Sequence, residues 1–162
     1  MALFNFQSVV SEMDSNYSVI EVQLTVKRVP SAVAPVVEQL MLLIKACRLV
    51  RREDRTLETA LREVFHIAVA DHDSERPENT REIQVKCRCE SEKEVSVTIR
   101  LAEAVKGARQ VSSAGAPRGD FALESRLQVI GHWVDELRVE QDGTAIHLRK
   151  RVAGARASST LA

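Results

Sequence analysis

The residues with the greatest chemical potential in this chain are few and mostly scattered. Cys87-x-Cys89 is the one paired thiol spacing, and Cys47 stands alone. A metal site normally needs four ligands, and no second Cys/His pair has a matching spacing. The four histidines, His66, His72, His132 and His147, form no HExxH or comparable grouping. His72 between Asp71 and Asp73 has the makings of a weak cation site, but a solvated helix end is the expected reading. No GxSxG, Walker A or Rossmann fingerprint occurs. The basic run Arg149-Lys150-Arg151 suits an acidic partner or a solvated strand edge.

The elements that must position these residues are legible from periodicity. Ile20, Val22, Leu24 and Val26 alternate with polar residues, which predicts a strand with one buried face. After Pro30, the residues Val33, Val36, Leu40, Leu43, Ile44 and Cys47 recur at helical spacing, with Pro35 in the first turn, where a missing N–H costs least. A second helix, capped by Asp54 or Thr56, carries Leu57, Leu61, Val64, Phe65 and Ala68 on one face. Pro77 stops any continuation.

Ile83–Cys89 and Val95–Leu101 alternate again and predict a hairpin. Alternation puts Cys87 and Cys89 on its apolar face, so both are expected as core thiols. Residues 102–120 read as a long loop bearing Gly107, Gly115, Pro117 and Gly119. A third helix follows, with Leu123, Leu127, Ile130 and Val134 facing the core. The last hairpin turns at Asp142-Gly143. Val129 and Trp133 lie off the core stripe of the third helix. They form a partner-binding patch if that face is open, and core if a lid covers it.

The expected fold class is therefore α/β (α+β): a two-layer sandwich whose mostly antiparallel, mixed sheet carries helices on one face. Residues 1–16 show no sustained period and read as a leader, 17–152 as the domain, and 153–162 as a disordered tail.

Composition narrows the function classes. The 162 residues hold 23 Lys+Arg and 23 Asp+Glu, so a generally basic nucleic-acid binder is not expected. Aromatic residues make up 4%, which leaves few platforms for stacking on bases. Three cysteines are an odd count for a disulfide scaffold and fit reduced thiols. No basic residue precedes Lys27, so no signal-peptide n-region is expected, and the apolar run Leu40–Ile44 is far short of the ~20 residues of a membrane span. The expected location is the cytoplasm.

The segments LETALREVFHIAVADH (57–72), REIQVKCRCESEKEVSVTIR (81–100) and VDELRVEQDGTAIHLRKR (134–151), in this order, resemble the GHKL (histidine kinase-like) ATPase fold. More narrowly, the chain resembles the bacterial anti-sigma regulatory serine kinases over roughly Tyr17–Arg151. In that family three motifs bind ATP and magnesium. The first, Glu-x-x-x-Asn-Ala, supplies a base and a metal ligand. Here Glu63 takes the acidic position and Ala68 follows, but Ile67 stands where the Asn would be and offers no oxygen to a hard cation.

The second motif, Asp-x-Gly-x-Gly, meets the adenine. Its positions hold Leu101, Glu103 and Val105, which cannot accept the adenine hydrogen bond or allow close backbone approach. The third is a Gly-x-Gly turn that cradles phosphate at a helix start. Its positions hold Glu124 and Arg126, and a carboxylate there repels phosphate.

The resemblance thus implies a regulatory protein-binding module that keeps the fold without nucleotide turnover and has no cofactor. Its implied partners are a sigma factor or an anti-sigma antagonist protein, with a homodimer as the family's assembly and neither nucleic acid nor membrane involved. The alternative is an active serine/threonine-protein kinase using ATP and Mg2+ on such an antagonist. In it Glu63 is the base, Arg109, Arg118 and Arg126 serve the phosphates, and Asp71 replaces the lost metal ligand. A purely structural dimerisation domain is the third possibility.

Overall fold

Alternating apolar residues make strands, and i, i+3, i+4 apolar residues make helices. Here the two patterns close on one another in a computed structural model that describes residues 4–14, 17–47, 55–69, 82–90, 92–101, 121–140 and 143–151. The elements are β1 (Phe4–Asp14), β2 (Tyr17–Lys27), a 3-10 turn at Pro30–Ala32, α1 (Val33–Ala46), α2 (Thr56–Val69), β3 (Glu82–Glu90), β4 (Glu94–Leu101), α3 (Phe121–Gly131), β5 (Glu136–Val139) and β6 (Ala145–Arg151).

The six strands form one sheet in the order β1-β2-β3-β4-β6-β5. Every neighbouring pair is antiparallel, so the sheet is not mixed in its pairing as the sequence suggested. The reason lies in the connections. Two helices between β2 and β3 carry the chain out and back to the end it left, which gives an antiparallel neighbour. The single helix α3 between β4 and β5 returns the chain in the same direction as β4, but the β5–β6 hairpin slots β6 between them.

Residues 4–14, which show no period and read as a leader, are the edge strand β1. Its register with β2 slips between Phe6 and Ser8. A bulge of this kind inserts one unpaired residue and breaks the two-residue count that reveals a strand in sequence.

The core lies between the helices and one face of the sheet. Val22, Leu24 and Val26 of β2, Ile83 to Cys89 at alternate positions of β3, and Val95, Val97, Ile99 and Leu101 of β4 are all buried there. They meet Val36, Leu40 and Ile44 of α1 and Leu57, Leu61, Val64 and Phe65 of α2. Phe65 and Leu57 are fully inaccessible. Burying side chains of this size contributes about 1.5–3 kcal/mol each. The end of α2 is tied back to the end of β2 by Arg28, whose Nε donates to the Ala68 carbonyl at 2.8 Å. That bond satisfies one of the helix's terminal acceptors.

The described part of α3 meets the core as expected at Leu123, Leu127 and Ile130, but the helix stops at Gly131. His132 and Trp133 donate their N–H groups to Val129 and Ile130 at 3.1 and 2.9 Å, the tight three-residue pattern of a helix end. Val134 reaches the core from the turn beyond. The last hairpin closes where Asp142-Gly143 predicted, with Gly143 at φ 71, a left-handed conformation that a side chain would strain. The expected loop at 102–120 and tail at 153–162 lie outside the described residues.

Candidate functional site

The seam between α2 and α3 brings together two of the positions that the sequence singled out, Glu63 and Arg126. Helix α2 is amphipathic enough to bury Leu57, Ala60, Leu61, Val64, Phe65, Ile67 and Ala68. Glu63 is left at the border of that face. On the solvent side Glu58 and Arg62 form an i,i+4 ion pair at 2.9 Å. Helix α3 brings Arg126 to the same seam, where its Nη2 donates to Glu63 Oε2 at 3.1 Å. Residues 63 positions apart in sequence are thus joined. The side chains remain 44% and 38% exposed, so the pair adds roughly 0–1 kcal/mol. Its role is to occupy two charges with each other.

The remaining positions behave differently. Ile67 is 3% and Leu101 6% exposed, and both belong to the core. Leu101 also donates its N–H to the Thr144 carbonyl at 2.8 Å, tying β4 to the last hairpin. Glu124 is exposed in the first turn of α3. Glu103, Val105, Asp71, His72, Asp73, Arg109 and Arg118 lie outside the described residues. In the ATP-binding motifs that the sequence resembles, position 67 would hold a hard ligand and position 101 an acceptor. Both are hydrocarbon and turned into the core, so these residues do not fit a magnesium nucleotide.

Val129 is 50% exposed on α3, while Trp133 is half-buried and packs on the core from beyond the helix end. The two are therefore not neighbours on one helix face, because the helix ends between them. Leu42 on α1 is the other large exposed apolar side chain among the described residues, at 57%. Sequence reasoning passed over it, since its position between the buried Met41 and the half-buried Leu43 hides it in an apolar run.

The thiols lie in the core, as their positions implied. Cys87 and Cys89 are buried on β3 with Sγ atoms 3.8 Å apart, and Cys47 is buried at the end of α1. All three are free. Burial first, then Cys89, pushes the Cys47 thiol up to about 11. The hydrogen bond with Cys87, then burial, pushes the Cys89 thiol far above its ordinary range. Thiols held neutral in this way are poor nucleophiles and poor metal ligands. Among the described residues no three His, Cys, Asp or Glu gather as a metal site.

On the opposite, solvent-facing side of the sheet, Thr98 of β4 and His147 of β6 are cross-strand partners. Thr98 Oγ1 lies 3.1 Å from Nδ1, and Nε2 lies 3.0 Å from Glu140 Oε1. With Glu140 ionised and the ring neutral, Nε2–H donates to Glu140, and Nδ1 accepts from the Thr98 hydroxyl. No sequence signal marks this set, because its members come from three separate segments.

No protein-family model matches this chain, and no curated protein matches it. Among the described residues no helix is long and apolar enough to cross a membrane.

Proposed function

We propose that this chain is a cytoplasmic regulatory module of the anti-sigma type, built on a GHKL-like fold, that binds partner proteins in a partner-switching system without nucleotide turnover. The observation that supports this most is the Glu63–Arg126 ion pair across the α2–α3 seam. It joins the position of the motif base to a position of the motif phosphate turn. The alternative, a serine/threonine-protein kinase, requires Glu63 as an unencumbered base and an oxygen at position 67. Glu63 is paired, and Ile67 is core.

A sigma factor or an anti-sigma antagonist is the proposed partner, and a second copy of the chain completes a homodimer. Losing the nucleotide removes a switch ligand, so partner affinity is set by the protein contacts alone. Calorimetric titration of the chain with magnesium-ATP tests the reading first. The expected result is no saturable heat at millimolar nucleotide. Saturable binding would sink the proposal and lead to a kinase assay with Glu63→Ala. Affinity for purified sigma factors and antagonists, measured with and without magnesium-ATP, is expected to be identical. A nucleotide-dependent affinity, or no binding to either class, overturns it.

A further inference from the structure

The sheet face turned away from the helices carries a charge pattern that none of the foregoing uses. Strand register sorts it into rows. One row runs Glu21, Arg88, Ser96, Arg149, Glu136, and the next runs Gln23, Lys86, Thr98, His147, Arg138. Arg100 sits beside Gln84 in the third. Lys86, Arg88, Arg100 and Arg138 are exposed, and Arg149 is half-buried. Carboxylates flank the cations of the first row, Glu21 on β2 and Glu136 on β5. Glu21 pairs with Lys86 at 2.9 Å and Glu136 with Arg149 at 2.6 Å.

That leaves Arg88, Arg100 and Arg138 without a carboxylate among the described residues. Arg149 also keeps its Nε buried with no hydrogen-bond partner. The face is therefore basic at its centre, with carboxylates around it: Glu21 and Glu136 across the strands, and Glu82, Glu90 and Glu94 along β3 and β4.

We propose that this open sheet face docks an acidic, extended segment of a partner protein, with carboxylates at alternate positions. On β3 Lys86 and Arg88 stand two residues apart on this face, about 6.6–6.8 Å, between Gln84 and Glu90. A segment lying extended along the strand presents every second side chain at that same interval. Charge complementarity also separates protein from nucleic acid. The rows contain no Phe, Tyr or Trp on which a base could stack, and the rim carboxylates Glu21 and Glu136 repel a phosphate backbone that runs past the centre. A protein segment with an acidic middle and basic flanks matches centre and rim together. The surface lies on the layer opposite the α2–α3 seam and stands independently of how that seam is read.

The test is an NMR titration of the 15N-labelled chain with a synthetic peptide of alternating Glu and Ser. A Lys-Ser peptide and an oligothymidylate of equal charge serve as comparators. The Glu-Ser peptide is expected to shift the amides of Lys86, Arg88, Arg100 and Arg149 saturably and to leave α2 and α3 unmoved. Its affinity is expected to fall at least about tenfold between about 0.05 and 0.5 M salt. The Arg88→Glu/Arg100→Glu variant is expected to abolish the shifts, with Arg88→Gln/Arg100→Gln as the milder version should charge reversal impair folding. Arg62→Glu on the helix layer makes a charge reversal of the same kind and is expected to leave binding intact. Absence of shifts, shifts confined to the helices, or binding indifferent to Arg88 and Arg100 overturns the proposal. Tighter binding of oligothymidylate at the same amides overturns it in favour of a nucleic-acid face.

Discussion

Arg126 and Glu63 make one of the few long-range ion pairs at the helix layer, and its exposure sets what it can do. A pair open to water contributes little, so a double-mutant cycle on Glu63→Gln and Arg126→Gln is expected to give a coupling under about 1 kcal/mol by urea denaturation. A larger coupling would mean that the seam is drier than its 38–44% side-chain exposure implies. Ile67 behaves oppositely. Ile67→Asn recreates the motif residue but removes a core side chain and buries an amide, at a cost of roughly 2–5 kcal/mol, with no magnesium affinity gained.

The thiols add a pH dependence. The folded chain keeps the Cys47 proton up to about 11, whereas an unfolded thiol releases it from its ordinary 9.0 upward. Unfolding therefore releases a proton between these values, and stability falls as pH rises through them. The urea midpoint is expected to hold up to about pH 8 and drop by about pH 10. Cys47→Ala is expected to reduce that fall without abolishing it, since Cys89 is raised as well.

At the scale of elements, what could be read in advance depended on how local the signal is. The strands of 82–101 declare themselves because each alternates without interruption, and both helices of 33–69 because their apolar spacing is unbroken. β1 was invisible, since a bulge at Phe6/Ser8 destroys the count. α3 was read too long, because Val134 keeps helical spacing after the backbone has left the helix. The site divides in the same way. Glu63 and Arg126 were both named from motif positions, but their meeting depends on how α3 crosses α2, which no local pattern encodes. The Thr98–His147 pair depends on β6 entering between β4 and β5.

Two substitutions separate these contributions. Phe65→Ala, at a fully inaccessible position of α2, is expected to cost about 3–5 kcal/mol by leaving a cavity beneath the helix. Gly143→Ala removes no contact and is expected to cost about 1 kcal/mol, because φ 71 is strained for alanine. Chemical denaturation of both variants measures the difference between packing and backbone strain.

The whole molecule is a one-sided sheet, and such a design has two vulnerable boundaries: its open face and its edges. The polar rows keep the open face wet. The edges differ, since β5 is four residues long while β1 is eleven, and a long edge strand is the more exposed template for further pairing. β1 in turn shields β2, a strand with Val22, Leu24 and Val26 in the core. If β1 is integral to the sheet, a chain that starts at residue 15 loses cross-strand pairs along the length of β2, each contributing about 0.2–1 kcal/mol. A total loss of about 2–3 kcal/mol lowers the thermal midpoint of a chain this size by roughly 4–12 °C. Adding back a synthetic Phe4–Asp14 peptide is expected to raise the midpoint with the logarithm of its concentration once that exceeds Kd, because a ligand that binds only the folded state stabilises it by mass action. Equal midpoints for the two chains would mean that the fold is complete in five strands and that β1 only rests against it. A lowered midpoint that the peptide restores makes β1 a structural member and the longer of the sheet's two open edges.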